Sequence, residues 1–126
     1  MPPGRIKILK AERVLYLMKG KQKIQSFPIG LGFNPTDDKI KLGDGCTPEG
    51  RFYICETLKF RPASAVYGPV SFRISYPNVE DARRALRAKL ITRKQYLSIV
   101  KGIDKGVMPN QRTPLGGSIK IHGGDY

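Results

Sequence analysis

The sequence predicts a mainly β fold carrying a two-helix insertion, and three observations lead there. Short runs of apolar β-formers recur in both halves of the chain, separated by turn residues. Fourteen Gly and 10 Pro in 126 residues give more turn punctuation than an average globular chain carries. Only the stretch from Asn78 to Ile103 changes to helical spacing, and it holds two capping signals.

Taken in order, Arg5 to Leu31 (RIKILKAERVLYLMKGKQKIQSFPIGL) reads as two or three antiparallel strands, broken at KAER and KGKQ. A loop follows, GFNPTDDKIKLGDGCTPEG, with an Asn-Pro, an Asp-Gly and a Pro two residues before a Gly, all turn chemistry. RFYICETL and SFRISY resume the strand pattern. The second alternates, with Phe72, Ile74 and Tyr76 on one face and Ser71, Arg73 and Ser75 on the other. Asn78 then caps a helix whose Val79, Ala82, Ala85, Leu86 and Leu90 share a side, while Arg83 and Arg87 point away. Thr92 and Gln95 form a capping box for a second helix, with Tyr96, Ile99, Val100 and Ile103 at helical spacing. After the loop MPNQRTPLGG the last strand is SIKIHG, where Ile119 and Ile121 share one face and Ser118, Lys120 and His122 the other.

A length of 126 residues, with no repeat and no low-complexity linker, fits one domain over residues 1–126. Twenty-three Lys and Arg against 10 Asp and Glu leave a formal charge of +13, which attracts polyanions without choosing among nucleic acid, anionic lipid and cell-wall phosphate. The cations are spread along the chain and no nucleic-acid-binding signature accompanies them, so no specific nucleic-acid partner is expected. The 11 aromatics fall mostly at core-facing positions instead of forming a stacking platform. No apolar run approaches the length of a membrane span, and the first ten residues lack the apolar core of a signal peptide.

Cys46 and Cys55 are too few for a disulfide framework and form no C-x-x-C pair. Cys55, inside a strand, reads as a small buried hydrophobe, and Cys46, in the turn GDGCTPEG, as an accessible loop thiol open to oxidation. His122 is the only histidine, so metal binding is not expected, and nothing in the chain calls for a cofactor. Its place at a strand end, before Gly123 and Gly124, is rigid and open to close approach, which suits a general base as well as a structural histidine.

The pieces Gly43-Asp44, Thr47-Pro48-Glu49-Gly50, Thr113-Pro114-Leu115-Gly116-Gly117 and Ile121-His122-Gly123, with SYPNVEDARRAL and ITRKQYLSIV between them, occur in a specific order and spacing. In that order the chain resembles the L,D-transpeptidase catalytic domain, the YkuD type, from about Arg5 to its last residue. The resemblance implies a β-sandwich or barrel that edits or cross-links peptidoglycan in the periplasm or cell envelope, with stem peptides as partners. A cysteine would attack a stem-peptide amide, form a thioester and pass the acyl group to an amine. His122 would be the base toward that cysteine, and the backbone carbonyl of Gly123 would orient the imidazole.

In the family the nucleophile sits in a Ser-x-Gly-Cys segment further along the chain than this histidine, and no such segment occurs in residues 1–126. The expectation is therefore a domain lacking that segment and inactive by itself. Cys46, where the family leads one to expect a basic or polar residue, is a second departure. The competing expectation is a noncatalytic basic β-domain that binds cell-wall polymer or nucleic acid.

Overall fold

The computed structural model describes residues 4–64 and 68–123, which fall into two compact units. The first comprises residues 1–39 and 45–47. Its strands β1 (Arg5–Leu9), β2 (Val14–Lys19) and β3 (Gln22–Pro28) form an antiparallel meander in the order β1-β2-β3. Sequence explains the turns. Arg13 closes the first with its N–H on the Lys10 carbonyl at 3.1 Å, and the second needs a left-handed residue that Gly20 supplies at φ 59°. Leu15 and Met18 lie on opposite faces of β2 and are both buried.

The loop expected after β3 is present, but it is not loose. Asn34 bridges to Cys46 and its N–H reaches the Gly45 carbonyl at 3.1 Å. The Lys10 ammonium donates to the Asp37 and Thr47 carbonyls at 2.9 Å each. Gly32 sits so close to the Gly45 carbonyl that a Cβ there would collide with backbone. These ties enclose Cys46, which is buried at 8% exposure, and so correct the expectation of an accessible thiol.

The second unit comprises residues 40–44 and 48–126. Strands β4 (Ile54–Ser64), β5 (Gly68–Ile74) and β6 (Lys120–His122) pair antiparallel in the order β4-β5-β6. β4 starts three residues later than the apolar pattern suggested and runs on past Leu58, because pairing to β5 rather than hydrophobicity sets its length. β6 is shorter than SIKIHG, since Ser118 turns into the left-handed region at φ 55°. The alternation in SFRISY does not divide buried from exposed: Ser71 and Ser75 are at 0% and 1% exposure.

Both helices begin where their caps predicted. The Asn78 side chain accepts from the Asp81 N–H at 2.8 Å and Asp81 accepts from the Asn78 N–H at 3.0 Å, opening α1 (Val79–Arg87). Thr92 and Gln95 do the same for α2 (Arg93–Asp104) at 3.1 and 2.9 Å. Their apolar stripes meet in a core of Tyr76, Ala82, Ala85, Ile91, Ile99 and Leu115, flanked by Phe52, Ile74 and Ile119 among others. Arg83 and Arg87 are exposed, as the helical spacing required.

Ile99 has no exposed surface. Ile99→Ala should therefore lower stability by about 2–5 kcal/mol in denaturant titration. Arg83→Ala, on the solvent side of α1, should change it by less than about 0.5 kcal/mol.

Candidate functional site

β6 is held beside β5 by a set of polar contacts on the loop before it. Thr113 and Gly116 close the TPLGG turn, with the Gly116 N–H on the Thr113 carbonyl at 2.9 Å and Gly116 at φ 89°. The Leu115 carbonyl accepts from the buried Tyr76 hydroxyl at 2.8 Å. Gln111 donates to the Tyr76 and Pro109 carbonyls at 2.8 and 3.0 Å and accepts from the Ser118 N–H at 2.8 Å. The Ile74 N–H meets the Ile119 carbonyl at 2.9 Å and leads into the β5–β6 ladder. Asp44, of the Gly43-Asp44 piece, accepts from the Ile40 and Lys41 N–H groups at 2.9 and 3.1 Å and holds its own turn.

The ladder pairs Ser71 with His122, Phe72 with Ile121 and Arg73 with Lys120. β4 continues the rows, Leu58 opposite Ser71 and Glu56 opposite Arg73. Directly opposed residues project from the same side of a sheet. His122, Ser71 and Leu58 thus form one row, and Lys120, Arg73 and Glu56 the next. The Arg73 Nε lies 3.0 Å from the Glu56 carboxylate, an ion pair whose angle is not that of a hydrogen bond, since both atoms lack a hydrogen-bond partner. Arg73 also donates to Ser118 Oγ at 3.3 Å.

His122 ends β6 half-buried, and its Nδ1 lies 2.7 Å from the Gly123 carbonyl. A carbonyl can only accept, so Nδ1 carries the proton and the neutral ring keeps its lone pair on Nε2. A Cβ on Gly123 would meet nothing within 4 Å, so the approach there is open. Gly124 lies outside the described residues.

Within the second unit no contact described joins Cys55 to His122. Cys55 sits at the irregularity in the β4–β5 ladder, half-buried, with Sγ 3.6 Å from the Arg73 carbonyl. It is less enclosed than a core hydrophobe, yet burial still pushes its thiol up, against an opposing pull from the Arg73 guanidinium. Burial likewise raises Tyr53, whose hydroxyl donates to the Val107 carbonyl at 2.7 Å. A groove of about 400 Å³ is lined by Arg51, Phe52, Tyr53, Asn78, Glu80 and Ile103 among others, and His122 is not part of its wall. Among the described residues no group of three or more His, Cys, Asp and Glu could hold a metal ion, and no helix is long and apolar enough to cross a membrane. Among the described aromatics only Phe27 and Phe33 are exposed.

The sequence singled out His122 as a candidate but not Ser71, Arg73 and Glu56 as residues of the adjoining rows. Alternation had placed Ser71 and Arg73 on the less apolar face, a signal that became specific only once the β5–β6 register fixed their partners.

The L,D-transpeptidase catalytic domain (YkuD) family matches the chain over residues 3–126. No curated protein matches it. The solved structure of Bdellovibrio bacteriovorus Bd1075 is similar at 31% identity, covering 64% of this chain and 29% of that one, with a TM-score of 0.47. The chain thus spans less than a third of that protein's length.

Two measurements check the site. Nitrogen-15 spectra of His122 should show a protonated Nδ1 and an imine-type Nε2 in the neutral ring, and the reverse tautomer would contradict the Gly123 bond. With the Cys55 pKa raised by folding, its contribution to stability is fully present below the unfolded thiol pKa and is lost as pH rises through the folded one. Alkylation of Cys55 in the native chain should accordingly be slower than in the unfolded chain near neutral pH and speed up as pH rises.

Proposed function

The chain belongs to the L,D-transpeptidase catalytic-domain family, and on that premise we propose that residues 1–126 form the part of one catalytic domain that supplies the base for acyl transfer on peptidoglycan stem peptides. The observation that carries the proposal is the Nδ1 bond to the Gly123 carbonyl, which leaves the Nε2 lone pair as the basic site of a ring fixed at a strand end.

The chemistry follows from that tautomer. Nε2 takes the proton of a cysteine thiol, and the thiolate attacks the carbonyl carbon of a stem-peptide amide. As the C–N bond breaks, the proton on Nε2 passes to the departing amine, leaving a thioester. An acceptor amine then attacks the thioester carbon and gives a proton to Nε2. That proton returns to sulfur as the new amide forms. Throughout, the Gly123 carbonyl keeps Nδ1 as the donor and stabilises the ring while it is positively charged.

The thiol in this scheme belongs to the family's Ser-x-Gly-Cys segment, a sequence that residues 1–126 do not contain. Neither Cys46, buried, nor Cys55, with its raised pKa, suits the role. The acyl donor would reach the site in the cell envelope, where the net charge of +13 draws the domain toward anionic wall polymers.

Residues 1–126 taken alone should form no thioester and no cross-linked muropeptide by mass spectrometry. Joined to a Ser-x-Gly-Cys segment they should do so, and His122→Ala there should cut the rate by about 10²- to 10⁴-fold. Its stability should change by less than about 1 kcal/mol, because the ring is only half-buried. Full activity of His122→Ala would overturn the assignment.

A further inference from the structure

We propose that the solvent side of α1 and α2 docks on the surface of an anionic lipid bilayer, its cations meeting headgroup phosphates and Leu97 entering between them. This goes beyond acyl transfer and involves neither His122 nor a thiol.

From Ala82 to Ile103 the sequence holds seven Lys and Arg and no Asp or Glu. One of them, Arg84, is engaged with the Asp81 carboxylate at 3.1 Å. The other six, Arg83, Arg87, Lys89, Arg93, Lys94 and Lys101, are all exposed, and none has a side-chain ion pair or hydrogen bond among the described residues. Helical spacing gathers them. Arg93, Leu97 and Lys101 follow at four-residue steps along α2, with Lys94 beside them, on the side opposite the fully buried Ile99. Arg83 and Arg87 stand one turn apart on α1, away from the buried Ala82 and Ala85. The short connection carrying Lys89 joins the two helices, and both bury their other sides in the same core. Glu80 and Asp104 lie at the far ends of the helices and bound the patch.

The composition of this surface selects its partner. The first turn of α2 has no acidic residue and holds Arg93 and Lys94 where the helix dipole favours negative charge, so the complement must come from outside the chain and be anionic. Arg93 and Lys101 are about 12 Å apart along the helix axis. Screening at physiological salt acts over about 8 Å, so neighbouring cations meet one charged layer together. Leu97 is 52% exposed in their midst, while no described aromatic of the second unit is exposed. Single-stranded nucleic acid takes aromatic platforms. A bilayer surface takes cations around a shallow apolar side chain, which is the pattern present here.

Sedimentation of residues 1–126 with vesicles of equal parts phosphatidylglycerol and phosphatidylcholine tests the docking. Binding should be clear at low salt, fall as salt rises and vanish with phosphatidylcholine alone. Arg93→Gln combined with Lys94→Gln should weaken it about ten- to thirtyfold, since each cation contributes roughly fivefold. Leu97→Ser should weaken it about threefold, a loss that added salt does not reduce. These side chains face solvent, so the melting temperature should not change. Arg5→Gln combined with Lys7→Gln removes the same charge from the first unit and should cost less than about threefold. Equal losses from the two double variants would overturn the proposal in favour of net charge alone, and so would a failure to bind the anionic vesicles. Inorganic polyphosphate bound with the same sensitivity to the Arg93 and Lys94 substitutions, and Leu97→Ser without effect on either ligand, would overturn the lipid assignment and mark the surface as one for phosphate polymers.

Discussion

The second unit is organised around the burial of one amphipathic ring. Tyr76 lies two residues past the end of β5, has no exposed surface, and packs among Ala82, Ala85, Ile91, Ile99 and Leu115, with the Phe52 ring tilted against it at 6.2 Å. A buried tyrosine must satisfy its hydroxyl, and here the partner is the Leu115 carbonyl in the TPLGG turn. Its own carbonyl accepts from Gln111. One residue therefore ties the end of β5 to the loop that delivers β6. The helical insertion supplies the apolar walls of that socket. Without α1 and α2 the Tyr76 ring would face water, and the loop carrying Leu115 and Gln111 would lose its anchor.

Position along the chain is converted into position at the site through this anchor. Gln111 holds Ser118 by its N–H, and Ser118 turns through a left-handed conformation into Ile119 and β6. Gly117 is required beside it, because a Cβ there would press on Gln111 within 2.8 Å. The short strand that results has only three residues, yet its register against β5 is fixed at both ends: by the Ile74 to Ile119 bond before it and the Ser71 to His122 pair at its end. A slip of one residue would turn His122 to the face of Ile121 and Phe72.

What was legible in the sequence follows the range of the interactions responsible. Helix starts depend on side chains three residues apart, so Asn78 and Thr92 announced α1 and α2, and the stripe through Ala82, Ala85 and Ile99 announced their buried side. The antiparallel strands of the first unit were visible for the same reason, their turns being local, although the sequence left two or three open. Cys46 was misjudged because its burial comes from Asn34 and Gly45, brought together by a close glycine contact with no local mark. The burial of Ser71 and Ser75 was equally hidden, since polar residues in an alternating strand suggest solvent and only the tertiary packing shows otherwise. His122 and Gly123 stood out because one imidazole beside glycines is rare in composition, while Ser71 had to wait for the register.

The proposed base sits on a strand end, which reconciles two demands that oppose each other. Proton transfer needs a ring held within a narrow range of orientations, and substrate needs space in front of that ring. β6 supplies the first through its ladder to β5 and through the Nδ1 bond to the adjacent carbonyl, which costs no side chain. Gly123 supplies the second, with open space where any other residue would place a Cβ. Placing the histidine one residue earlier would turn it to the face of Phe72, and placing it later would remove it from the ladder. His122 occupies the last paired position of β6, where the backbone is still ordered by its neighbour and the next residue, Gly123, leaves open space.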